Sequence, residues 1–171
     1  TFNAVKKIVD IQNNLGDASR NPSATISGGN FSADPLTWPG LIKVADGYKV
    51  VEENGIWTVV VDPAAKIGET EYASLQEAFN VGGEITLLRD ITIAETVVLA
   101  EGKTVVLDLN GKTLAAVDKN TIKNNGGNLT LKNGTVTRTG DVVGYSVNNA
   151  SGEINVVDAT VERGLYTSGS K

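Results

Sequence analysis

The chain has 171 residues, enough for one ordinary domain that buries roughly 70% of its unfolded surface without disulfides or metal. It contains no Cys and no His, which excludes a structural disulfide, a thiolate zinc site, a Ser-His-Asp or Cys-His triad and a histidine proton shuttle. A formal charge of −5, with no basic cluster against it, disfavours phosphate backbones and anionic lipid, so nucleic-acid binding is not expected, and the longest apolar runs, such as Thr58 to Val61 and Thr104 to Leu107, are far too short for membrane insertion.

Val, Ile and Thr are abundant and 19 glycines accompany them, a composition of β-branched strands separated by tight turns. Ile11 to Gly16 and Ile26 to Phe31 read as two halves of one repeat unit, separated by an insertion with the loop residues Asn21, Pro22 and Ser23. Ala33 to Gly40 holds Pro35, Trp38 and Pro39 and reads as a loop. Tyr48 to Val51 and Ile56 to Val60 then flank an Asn54-Gly55 pair, the strongest short hairpin signal, which places Trp57 opposite Tyr48. Asp62-Pro63 marks a boundary. Ser74-Leu75-Gln76-Glu77 has the spacing of a capping box, and Leu75, Ala78 and Phe79 share one helical face before Gly82-Gly83. A short helix near 74–82 is therefore expected, sealing the first open rung of whatever follows. Glu84 to Leu88 and Asp90 to Ile93 alternate as strands.

The C-terminal third is a repeat. Residues 122–136 match residues 147–161 at an offset of 25, with Ile122 on Val147, Asn124 on Asn149, Gly127 on Gly152, Leu129 on Ile154, Leu131 on Val156, Asn133 on Asp158 and Val136 on Val161. A weaker copy is Leu107 to Leu114, which precedes the segment beginning at Leu129 at an offset of 22. Each unit is too short to close a core alone, so stacking is the solution the pattern allows: a parallel β-solenoid with aliphatic columns inside. Asn133 and Asp158 then occupy corners, where left-handed backbone is tolerated, and Asn124 over Asn149 forms an amide ladder worth about 1 kcal/mol.

The acids on the repeats are Asp108, Asp141, Glu153, Asp158 and Glu162. A glycosidase would need two of them about 5 to 9.5 Å apart across a groove. Asp158 reads instead as a corner residue, and Asp108, flanked by Leu107 and Leu109, as solvent-facing. No catalytic residue, cofactor site or metal site is assigned. Among Trp38, Trp57, Tyr48, Tyr72, Tyr145 and Tyr166, the candidate for stacking on a carbohydrate is Trp38, in its proline-flanked loop.

Some of these phrases carry a resemblance. Ile26 to Pro35, Gly47 to Val50 and Gly55 to Val59 resemble the closing segment of the tandem right-handed β-helix modules of large bacterial surface proteins. Ala65 to Gly68, Tyr72, Ser74 to Ala78 and Gly102 to Leu114 resemble the opening segment of the same module. The modules belong to the pectin-lyase-like β-helix group, which includes polysaccharide lyases, glycoside hydrolases, adhesins and phage tail spikes, so the resemblance implies architecture and leaves activity open. It implies an all-β chain: 1–33 as terminal rungs of one β-helix module, 34–64 as a loop and closing hairpin, 65–164 as a second, right-handed module with its cap helix, and 165–171 as a tail. The expectation is a non-enzymatic, extracellular or cell-surface bacterial module that spaces or presents a surface. Its partners would be adjacent modules, end-to-end copies of itself, glycans or a host surface. The alternatives are a carbohydrate-active β-helix and a phage fibre module.

Overall fold

In a computed structural model of the chain, residues 24–37, 41–45 and 47–168 are described. Trp38, the repeat half Ile11 to Gly16 and residues 169–171 lie outside them. The chain divides into two compact units at Asp62/Pro63.

The first unit contains β1 (Ala24–Ile26), β2 (Gly29–Phe31), a 3-10 turn Pro35–Thr37, β3 (Ile42–Val44), β4 (Tyr48–Glu53) and β5 (Ile56–Val61). β1 pairs parallel with β3, Ala24 opposite Ile42. β5 lies antiparallel between β4 and β2. Asn54 and Gly55 join β4 to β5 with φ of 53° and 77°, the left-handed pair that a two-residue turn requires. With so short a turn the register starts at Glu53 opposite Ile56, which sets Trp57 opposite Glu52 and Tyr48 opposite Val61. The expected Trp57–Tyr48 pair is thereby corrected. Trp57 has Phe31 of β2 as its partner on the other side.

The second unit is a β-solenoid of about three turns. It opens with β6 (Ala65–Ile67), β7 (Thr70–Tyr72) and α1 (Leu75–Val81), then winds through β8 (Gly83–Leu87), β9 (Ile91–Ile93), β10 (Val97–Leu99), β11 (Thr104–Asp108), β12 (Thr113–Val117), β13 (Ile122–Thr139), β14 (Val147–Val161) and β15 (Leu165–Thr167). The strands stack on three faces, all parallel. The first face is β8, β11, residues 128–132 and residues 153–157; the second is β9, β12, residues 135–139 and residues 160–161; the third is β10, residues 122–124, residues 147–149 and β15.

Alternation then decides what lies inside, because successive side chains of a strand point to opposite sides. Ile85, Leu107, Leu131 and Val156 form one column, Ile91, Leu114, Val136 and Val161 a second, and Val97, Ile122, Val147 and Leu165 a third. The offset of 25 holds between the last two full coils across both halves of the repeat, Leu131 beside Val156 included. For the weaker copy the step of 22 is correct on the second face, where Leu114 meets Val136, but not on the first, where Leu107 meets Leu131 rather than Leu129. The cause is the corner: residues 109–112 separate β11 from β12, against Asn133 and Gly134 in the next coil. Two extra residues are absorbed there by Asn110 and Gly111 at φ of 52° and 73°.

Close stacking makes certain glycines obligatory. A Cβ on Gly134 would lie 2.5 Å from Leu109 Cβ and 2.6 Å from the Lys112 carbonyl oxygen, both belonging to that wider corner. Gly127 and Gly152 are similarly confined between coils, at 2.6 Å from the Lys103 oxygen and 2.2 Å from the Gly127 oxygen.

The amide column is polar and buried. Asn124 is fully buried and Asn149 nearly so. Asn124 Nδ2 donates to Asn149 Oδ1 at 2.8 Å, to the Gly127 oxygen at 3.0 Å and to the Glu153 oxygen at 3.1 Å, while its Oδ1 accepts from Gly127 N–H at 2.8 Å. The side chain thus ties a turn to the next coil and does more than a single ladder bond. The position below it is Leu99, so leucine suits the column's shape. Asn124→Leu is expected to destabilise the fold by about 2–4 kcal/mol, the cost of leaving Gly127 N–H and the Asn149 side-chain oxygen buried without partners, as read from denaturant unfolding. Gly134→Ala should cost about 1–3 kcal/mol through overpacking; an unchanged midpoint would refute the tight corner.

Candidate functional site

The two ends of the solenoid differ, and that asymmetry defines the candidate site. At the first coil every interior column is closed: Ile85, Leu87, Val97 and Leu99 are buried, in one hydrophobic cluster with Ala64, Ala65, Leu75, Ala78 and Phe79. Local sequence explains why a helix stands there. Ser74 is the N-cap, its hydroxyl accepting from Glu77 N–H while the Glu77 carboxylate accepts from Ser74 N–H, and Gly82 ends the helix at φ 88°. Gln76 turns its amide to the backbone of β10, accepting from Val98 N–H at 2.7 Å and donating to the Val98 oxygen at 3.0 Å. β6 pairs antiparallel along β8, Ala65 opposite Leu87.

At the last coil two of these columns are uncovered. Leu131 is fully buried, but Val156 directly above it is 40% exposed, and Leu165 above the buried Val147 is 42% exposed. Among the described residues no strand pairs with the outer side of β14 at 153–161 or of β15. The result is a sheet edge of unpaired backbone groups above a partly open apolar interior, which in general is a template for another strand. Beyond Arg163 the chain does not simply trail away: Leu165–Thr167 forms β15, returning to its partners Val147–Asn149 after a step shorter than a full coil.

Three side-chain groups stand near these coils. Asp108 is half-buried at the first-face corner, not fully solvent-facing as expected. Its Oδ1 accepts from Asn110 N–H at 2.9 Å and from Asn133 Nδ2 at 3.1 Å, and Lys132 Nζ lies 3.6 Å from Oδ2. Burial pushes its pKa up, but the Asn110 and Asn133 hydrogen bonds and the Lys132 charge outweigh it and leave the pKa lowered. Asn133 and Asp158 follow at the same corner with φ of 58° and 50°, as corner residues should. The remaining acids are dispersed: Glu153 on β14, Asp141 in the loop after β13, and Glu162 just after β14. Among the described residues no group of three or more acidic residues could hold a metal ion.

Alternation missed Arg138. It occupies an interior position two residues after Val136 and is 5% exposed. Its Nε donates to the Lys119 oxygen at 3.1 Å and its Nη2 to the Val142 oxygen, which holds the loop 140–146 against the previous coil. Asp118 and Asn120 carboxyl and amide oxygens accept from Val142 N–H and Tyr145 N–H of that loop. An arginine where the strand pattern calls for an aliphatic residue was the available signal. The loop delivers Tyr145 onto Tyr166 of β15, rings stacked at 4.9 Å. Of the other aromatic candidates, Trp57 and Tyr48 lie on β5 and β4 and Tyr72 on β7.

No protein-family profile, curated protein or solved structure matches the chain.

The Asp108 network gives a pH prediction. A folded-state pKa below the unfolded value means that the carboxylate stabilises the fold above the ordinary aspartate range, about pH 3.9, and that this contribution is lost as pH falls through the folded pKa. Asp108→Asn should therefore lower the melting temperature at neutral pH and flatten its decline on acidification. Parallel acid-melting curves for variant and parent would show that the corner does not discriminate the charged form.

Proposed function

We propose that the chain is a non-enzymatic structural module of a secreted or cell-surface bacterial protein, a right-handed β-helix that spaces or presents a surface and joins neighbouring modules end to end. The observation that carries this reading is the polarity of the solenoid: one end sealed, the other left as an open edge over uncovered apolar columns. In this reading α1, β6 and β7 are the N-terminal cap, and β4 with β5 is the hairpin that ends a preceding module. Right-handedness follows from the general handedness of parallel crossovers, about 98% of cases. Adding coils lengthens such a body by about 4.8 Å each, which suits a stalk, and a sealed first coil suits an array in which each module begins anew.

The acids support the same reading. Asp108 is committed to a corner by three partners and Asp158 sits at a left-handed corner, so neither is poised as a general acid. Glycans or a host surface remain the partners proposed for the exposed faces. Incubating the chain with pectic, uronate and host polysaccharides should release no new reducing ends and no unsaturated products. Release that disappears on an acid-to-amide change at Asp108, Glu153 or Asp158 would overturn the reading in favour of a carbohydrate-active enzyme.

A further inference from the structure

The two units share a feature at their ends. In the second unit the final step of the solenoid pairs Val147 with Leu165, a sequence step of 18 that also separates Asn149 from Thr167. In the first unit Ala24 pairs with Ile42, also parallel and at the same step. Every full coil on that face of the solenoid has the longer step of 25, as from Val97 to Ile122 and from Ile122 to Val147. Superposing the two short steps sets Gly29 on Gly152, both with left-handed φ (110° and 90°), Asn30 on Glu153 and Phe31 on Ile154. β2 is thus the counterpart of β14 at residues 152–154.

What differs is the cover. β2 has β5 laid antiparallel along it, with Gly29 opposite Val59, Asn30 opposite Thr58 and Phe31 opposite Trp57. β14 has no such strand among the described residues. β2 holds β5 through only three residue pairs, whereas β14 runs on past residue 154 to Val161 and leaves Val156 and Val157 exposed above the coil.

We propose that the free edge of β14 takes up the β4–β5 hairpin of a second copy of this chain, antiparallel, with the second copy's Trp57, Thr58 and Val59 opposite Ile154, Glu153 and Gly152. The hairpin is a strand pair already fitted to an edge of this kind, and in this register β14 adds Asn155, opposite Ile56, to the three positions that β2 provides. Donor and acceptor are different surfaces, so the contact is heterologous, and in the proposed assembly it propagates head to tail. This deepens the module reading by naming its partner, and it rests on that reading.

The absence of cysteine from the sequence makes the test clean. In Asn30→Cys/Thr58→Cys, oxidation ties β5 to its own β2. Sedimentation of the parent should show a weight-average mass that rises at least about twofold with concentration, by mass action. The oxidised variant should stay monomeric at the same concentrations and regain assembly on reduction. In Glu153→Cys/Thr58→Cys, mild oxidation of the assembled protein should give a ladder of covalent dimers, trimers and higher species, while either single variant stops at dimers. A parent that stays monomeric throughout, or a locked variant that assembles as well when oxidised as when reduced, would overturn the exchange. So would a Glu153→Cys/Thr58→Cys variant that yields no species beyond dimers. Each of these results leaves the non-enzymatic reading to be judged separately by the polysaccharide assay.

Discussion

A parallel coil cannot satisfy itself. Its strands point their backbone N–H and C=O groups along the solenoid axis, and its aliphatic residues point into an interior that one coil is too thin to close. Each coil therefore depends on the one above and the one below, and the structure's other features are ways of serving that dependence. The aliphatic columns run from coil to coil because the repeat returns the same residue type to the same face. Gly127, Gly134 and Gly152 are bare because neighbouring coils approach closer than a Cβ allows. Asn124 and Asn149 replace aliphatic residues only where their amides can be spent on the turn and on the next coil.

The same dependence makes the ends the chemically interesting places. At the first coil it is met by unlike elements: an antiparallel strand along β8, a helix over the columns, and the Gln76 amide, which imitates a neighbouring strand toward Val98. At the last coil the chain meets it only in part, by bringing β15 back after a shortened step and by clamping the loop 140–146 through Arg138. The outer edge of β14 at 153–161 has no paired strand among the described residues. The proposed function rests on this difference between the ends, and Asp108 and Asp158 are held at corners of the coils.

Much of this is legible in the sequence, for identifiable reasons. The constant offset between 122–136 and 147–161 fixes how those coils stack apart from a local shift at Asn125, which pairs with Ser151, and the capping box at Ser74 and Glu77 announces α1. The β11 register differs by two positions from the sequence expectation because the wider corner at residues 109–112 cannot be told from strand by alternation alone. The Asn54-Gly55 signal locates the hairpin, but its two-residue turn starts the register at Glu53 opposite Ile56, and counting from there separates Trp57 from Tyr48. Arg138 breaks the aliphatic alternation, but alternation alone cannot show that its guanidinium ties the following loop, through the Val142 carbonyl, to the Lys119 carbonyl of the previous coil. Asp108 alternates with leucines, yet alternation cannot show that the coil above brings Asn133 and Lys132 onto its carboxylate.

The most direct measurement is methyl contact within a single interior column. With Leu107, Leu131 and Val156 stereospecifically labelled, nuclear Overhauser spectra should connect Leu107 to Leu131 and Leu131 to Val156, with Leu107 and Val156 unconnected. Strong Leu131 contacts to neither, or a pattern that places 128–132 and 153–157 antiparallel, would show that the coils do not superimpose as described.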